Sequence, residues 1–204
     1  MAPLRRLGSV GPWRFLWLAP VLVSLSGCST HRVGLSYRPD EPAGPPVGSP
    51  VFAIAEVVDR REKRPIELGV VRGGYGNVLK RLHTSEPVRD LVQRAFEDAL
   101  RARGLLAPGG EILVLLRISV ARLDCNYFMN REAHARFDLE ARDAKTGKLL
   151  WERGYEQDLV ESGIGAGIFA NVDHLRGMAE KAMIQAIDEA VSDSQLRYLA
   201  AQPP

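Results

Sequence analysis

From residue 132 to residue 142 the chain alternates without a break. Ala133, Ala135, Phe137, Leu139 and Ala141 fall on one parity, and Glu132, His134, Arg136, Asp138, Glu140 and Arg142 on the other. A period of two puts these sets on opposite faces of a β-strand, one dry and one wet. Lys145-Thr146-Gly147-Lys148 then supplies a hairpin turn, after which Leu149, Trp151, Arg153 and Tyr155 return in the opposite direction. Upstream, Pro108-Gly109-Gly110 turns the chain into residues 112–123, a strongly apolar strand. Three such strands read as an antiparallel meander, and its dry face requires a cover.

Two helices can supply that cover. Thr84 or Ser85 is an expected N-cap, with Glu86 in the first turn and Pro87 tolerable there. Val88, Leu91, Val92, Ala95, Phe96, Ala99 and Leu100 follow at three-four spacing, and Gly104 is a natural C-terminal stop. A last helix, expected to open near Asp173, lays Leu175, Ala179, Ala182, Met183, Ala186, Ile187, Ala190 and Val191 on one side; its methionines read as core filler. Residues 51–58, apolar on both parities, read as an interior strand that stops at Asp59. The expected order is β-α-β-β-β-α. The expected fold class is α+β, a two-layer sandwich of a mainly antiparallel sheet with two helices on one face. Residues 59–83 are too long for an idle connection. Two strand-like segments, 66–72 and 77–83, flank Gly73-Gly74-Tyr75-Gly76 there, which predicts a protruding hairpin.

The N-terminal end has a different character. Arg5, Arg6 and Arg14 are the only charged side chains before the apolar run at residues 15–25, and the first acid is Asp40. A basic start followed by an apolar run of about eleven residues is a secretory signal, too short for the roughly twenty residues of a membrane-spanning helix. Leu25-Ser26-Gly27-Cys28 closes the run and resembles the lipobox of bacterial lipoproteins. That resemblance implies cleavage before Cys28, a diacylglyceryl group on its sulfur and an acylated amino terminus. Ser29, in the place of the aspartate that favours inner-membrane retention, implies sorting to the outer membrane with the domain facing the periplasm. Residues 29–50 carry Pro39, Pro42, Pro45, Pro46 and Pro50 with Gly34, Gly44 and Gly48, and are expected to be an extended spacer. The chain therefore divides into a signal peptide (1–27), a lipidated cysteine with a Pro/Gly-rich tether (28–50) and one α+β periplasmic domain (51–204).

Charge narrows the function classes. The 204-residue chain has 27 basic and 25 acidic side chains; three arginines precede Cys28, which leaves 24 basic against 25 acidic. Such balance gives no electrostatic case for nucleic acid. Cys125 is then the one unmodified thiol, so no intrachain disulfide can form, and its neighbours Leu123, Tyr127 and Phe128 favour burial.

Taken together, a lipobox at Cys28, a first strand ending in Asp59-Arg60-Arg61, a glycine-bearing insertion, a helix closing on Leu100 and Gly104, a meander and a final helix resemble the YajG-like lipoproteins. These are an uncharacterised group of outer-membrane-associated bacterial proteins, and the resemblance spans residues 51–192. A more distant similarity, in element order only, is to the auxiliary lipoproteins of ABC-type lipid-export systems. Neither group supplies a catalytic residue.

Few residues suggest chemistry. His31, His83, His134 and His174 lie in four separate segments without metal-ligand spacing to Cys125. A nucleophilic pair of Cys125 and His134 is conceivable on adjacent strands, but His134 belongs to the wet face. Gly163, Gly165 and Gly167 lack the full dinucleotide-binding spacing and read as a flexible connection. Its apolar Ile164, Ile168 and Phe169 form a candidate docking loop. Residues 59–64, DRREKR, with Arg72, Lys80 and Arg81 on the hairpin, form either a solvated face or a cationic flap. Arg60, Arg61, Arg64, Arg72, Lys80 and Arg81 are thus the candidate partner- or anion-binding residues. The expectation is a non-enzymatic binding or scaffold module, without cofactor or metal. It is held to the membrane by its lipid and meets an envelope protein or a lipid. The alternative is an accessory lipoprotein of a lipid or envelope-amphiphile transport system.

Overall fold

The structure is a computed structural model that describes residues 29–39, 51–107, 112–162 and 171–201. Among the described residues it is α+β, with seven strands in one sheet and three helices. The strands are β1 (Ser29–Val33), β2 (Phe52–Asp59), β3 (Glu67–Arg72), β4 (Val78–Thr84), β5 (Val114–Tyr127), β6 (Asn130–Asp143) and β7 (Leu149–Ser162). The helices are α1 (Val88–Ala102), α2 (Val172–Val191) and α3 (Ser194–Ala201).

The meander forms as its alternation predicts. β6 pairs antiparallel with β5 and with β7, with Ala133, Ala135, Phe137, Leu139 and Ala141 all buried. The turn after β6 uses Gly147 at φ 71°, in the left-handed region that glycine occupies without steric cost. α2 lies across β5, β6 and β7, and its eight predicted core residues are all buried. Asn171 caps it, accepting from the backbone N–H groups of Asp173 at 2.9 Å and His174 at 3.3 Å. α1 contacts β2 and α2, and its Phe96 meets Phe137 of β6 edge to face at 5.5 Å between ring centroids.

Several expectations are corrected. Half of the strand pairings are parallel (β1 with β4, β2 with β5, β3 with β5), so the sheet is mixed rather than mainly antiparallel. The strand order is β1-β4-β3-β5-β6-β7 with β2 also on β5, and the helices do not form a simple layer on one face. The physical cause is connectivity: the chain leaves β2, completes a hairpin and crosses through α1 before β5, a connection long enough for parallel pairing. The hairpin of β3 and β4 does form, but it does not protrude; β3 is paired into the sheet through Gly69, Val70 and Val71. Neither Thr84 nor Ser85 caps α1. The cap position is Pro87, and the Thr84 hydroxyl instead bonds the carbonyls of Ile66 and Glu86.

The largest departure follows Cys28. Ser29–Val33, placed in the expected spacer, is an edge strand parallel to β4, with Ser29 opposite Lys80 and Val33 opposite Thr84. Val33 at its end and Leu35 beyond it are buried, and four hydrogen bonds join residues 34–37 to α2. Glu180 Oε1 accepts from the backbone N–H and the hydroxyl of Ser36 at 2.7 Å each, Arg176 donates to the Gly34 carbonyl at 3.3 Å, and the Tyr37 hydroxyl donates to Asp188. Arg103, past the end of α1, binds both Tyr37 (3.0 Å) and Asp188 (2.8 Å). Burial, then the bond to Asp188, pushes the Tyr37 phenol up to about 12, so it stays a donor.

Candidate functional site

β2 and β3 share one edge of β5. β2 pairs along Val114 to Val120, β3 along Cys125 to Tyr127, and both run parallel to it. The gap between them is filled by Arg61, whose side chain is 3% exposed. Its Nε and Nη2 grip Asp59 at 2.9 and 2.8 Å. Nη1 donates to the carbonyls of Glu67 (2.8 Å) and Leu123 (3.0 Å), and Nη2 also reaches Pro65 O at 3.3 Å. All five guanidinium N–H groups are thus used inside the fold. Arg61 replaces the ladder bonds the sheet lacks there, and it is not part of an exposed flap.

Two clefts flank this plug. One, of about 450 Å³, is lined by β2, Lys63, Pro65, Pro87 and Arg89. The other, of about 370 Å³, opens on the wet face over β3, β4, β5 and β6. It gathers Lys63, Arg72, Arg81 and Arg122 with Glu67, Asp124, Glu132, His134 and Asn126. Lys63 reaches Asp124 at 2.8 Å, Arg122 lies 3.5 Å from Asp124, and His134 contacts Asp158. The Asn126 Oδ1 atom is buried without a hydrogen-bond partner among the described residues. The cleft therefore offers alternating charge and one spare acceptor, which suits a polar ligand surface better than a simple anion.

The six candidate cations do not line one common cleft. Arg72 and Arg81 meet in the wet-face cleft, where Arg72 also donates to the Gly76 carbonyl at 3.1 Å. Arg60 and Arg64 are exposed but line neither cleft. Lys80 lies on the opposite strand parity from Arg81. Lys63 of the 59–64 run joins the cleft, and so do Arg122 and Asn126, which were not singled out in the sequence. Their signal was parity: Arg122, Asp124 and Asn126 alternate with the buried Leu123, Cys125 and Tyr127.

Cys125 and His134 do not form a catalytic pair. His134 is registered opposite Asp124, and Cys125 opposite Ala133, so the two side chains leave the sheet on different faces. Cys125 is 1% exposed, and burial, with Asp124 adding to it, pushes its thiol up to about 12. An activated nucleophile requires the reverse shift. Cys28, Gly163, Gly165, Gly167 and the candidate docking residues Ile164, Ile168 and Phe169 lie outside the described residues, as does the turn at 108–110.

No family model matches the sequence, and no curated protein matches it. Solved structures do share the fold. Protein XCC0632 from Xanthomonas campestris, of the family DUF330, superposes with a TM-score of 0.63 at 17% identity, covering 82% of this chain and 96% of its own. A second, uncharacterised protein gives 0.52 at 11% identity, covering 81% of this chain and all of its own. At these identities the likeness is one of fold.

Proposed function

We propose that this protein is a lipid-anchored, non-enzymatic binding module of the bacterial cell envelope, YajG-like in kind. It is acylated at Cys28, sorted to the outer membrane and faces the periplasm. The observation that carries the reading is the sequence Leu25-Ser26-Gly27-Cys28 behind an apolar run and a purely basic start, placed directly ahead of β1. Two or more acyl chains at Cys28 hold a protein to a bilayer, at about 0.8 kcal/mol per buried methylene. The high-set thiol of Cys125, turned away from His134, supports a binding rather than a catalytic role. The wet-face cleft, with Arg72, Arg81, Lys63 and Asn126, is the place where an envelope partner with mixed polar groups would bind.

The test is the intact mass of the protein extracted from membranes, with its fractionation. The expected product begins at Cys28 and carries acyl chains, and the Cys28→Ala variant leaves the membrane fraction. An unmodified chain, or a variant that still sediments with washed membranes, overturns the reading.

A further inference from the structure

A spacer of residues 29–50 would let the domain stand up to about 70 Å from its anchor, at roughly 3.3 Å per extended residue. The fold gives it no such reach. Ser29, the residue after Cys28, is already opposite Lys80 in the sheet, and the chain behind it is fastened to α2 through Ser36, Gly34 and Tyr37. The position of Cys28 therefore determines which part of the domain meets the membrane.

Strand registers identify that part. β1 begins opposite Lys80, two residues into β4, Arg72 at the end of β3 is opposite Val78, and Val71 is opposite Tyr127. Tyr127 is in turn opposite Arg131, and Asn130 opposite Ser162. Ser29, the β3–β4 turn, the β5–β6 turn and the end of β7 thus lie along one end of the sheet. Asp143 and the β6–β7 turn lie at the other.

The end nearest Cys28 has the side chains a membrane interface accepts. Tyr75 at the tip of the β3–β4 turn is fully exposed (102%), and Met129 at the β5–β6 turn is 71% exposed. Val160 of β7 is 60% exposed, and Arg72, Lys80 and Arg131 stand close behind the tips. The acidic Glu161 of this end is paired with His174 at 2.6 Å. The opposite turn carries Asp143, Lys145, Thr146 and Lys148 with Ala144 and Gly147, and the exposed apolar side chains at that end, Ile112 and Leu149, are each only 39% exposed. Tyrosine settles at the headgroup level because its ring is apolar and its hydroxyl is not, and basic side chains favour acidic headgroups.

We infer that the β3–β4 and β5–β6 turns, through Tyr75 and Met129, dip into the phospholipid leaflet that holds Cys28. The domain then stands with its strands pointing away from the membrane and the β6–β7 turn outermost. This rests on the anchoring proposed above and adds an orientation to it. A tethered domain would tumble; this one presents its wet-face cleft at a fixed height beside the bilayer.

The experiment uses the mature acylated protein in vesicles of phosphatidylethanolamine and phosphatidylglycerol whose acyl chains are brominated near the headgroup. Trp151 is the one tryptophan after Cys28, and Trp151→Phe provides a dark background. Tyr75→Trp, Met129→Trp and Thr146→Trp are then compared. The expected result is that bromine at least halves the emission from positions 75 and 129 and leaves position 146 unchanged. Acylated protein that floats with the vesicles but shows no quenching at 75 and 129, whether because the tips face water or another protein, overturns the orientation alone. An unacylated chain that does not float overturns the anchor and the orientation together.

Discussion

Arg60 and Arg61 are adjacent, equally charged and opposite in environment. Arg60 is exposed at the end of β2, while Arg61 spends all its donors on Asp59 and three carbonyls in the gap beside β5. In the sequence both belong to a run of charge that reads as one solvated or binding surface. Burial of a charged side chain depends on partners distant in the chain, here Glu67 and Leu123, and no local pattern encodes that. Removing one member of a buried ion pair leaves the other without compensation and typically costs about 3–5 kcal/mol. Arg61→Ala is therefore expected to lower unfolding free energy by about that amount in urea titration, and Arg60→Ala to stay within about 0.5 kcal/mol. Equal effects of the two substitutions would show that the plug is not structural. Cys125 is a residue whose environment the sequence did reveal, because its apolar neighbours alternate with polar ones in a long strand.

At the scale of elements, legibility followed length and periodicity. The cores of α1 and α2 and the alternation of β6 stand out because many residues repeat one pattern. β1 does not: it has five residues of which only Val33 is buried, and the prolines after it suggest an extended spacer. α3 has eight residues and was missed, although Asp193 caps it by accepting from the Gln195 N–H at 2.7 Å. The second half of β7 is an exposed edge, so it carries no dry parity to detect. The β3–β5 pairing depends on one small residue. A Cβ at Gly69 would lie 2.0 Å from the Cys125 carbonyl oxygen and 2.7 Å from its Sγ, so the strands could pair only after shifting. Gly69→Ala is expected to cost about 1–3 kcal/mol, the range for overpacking. Gly74→Ala, with no atom within 4 Å, is expected to be neutral. Matching urea midpoints for the two variants would contradict the close approach.

For the whole molecule, the sequence revealed the α+β class of the domain but not the order of its strands. Periodicity reports which face of a strand is dry and says nothing about its neighbours. Those are set by the hairpin inserted between β2 and α1, which lets β2 and β3 share β5 and leaves β4 an edge for β1 to cover. The consequence for function is mechanical. The segment after Cys28 is part of the sheet and is bolted to α2, so the anchor proposed at Cys28 would move with the body. Hydrogen exchange of the mature protein across residues 29–39 measures this directly. An edge strand bonds about half of its amides inward. The account predicts that about half of the amides in Ser29–Val33 exchange as slowly as those of α1. Exchange throughout residues 29–39 at the rate of an unstructured peptide would contradict it.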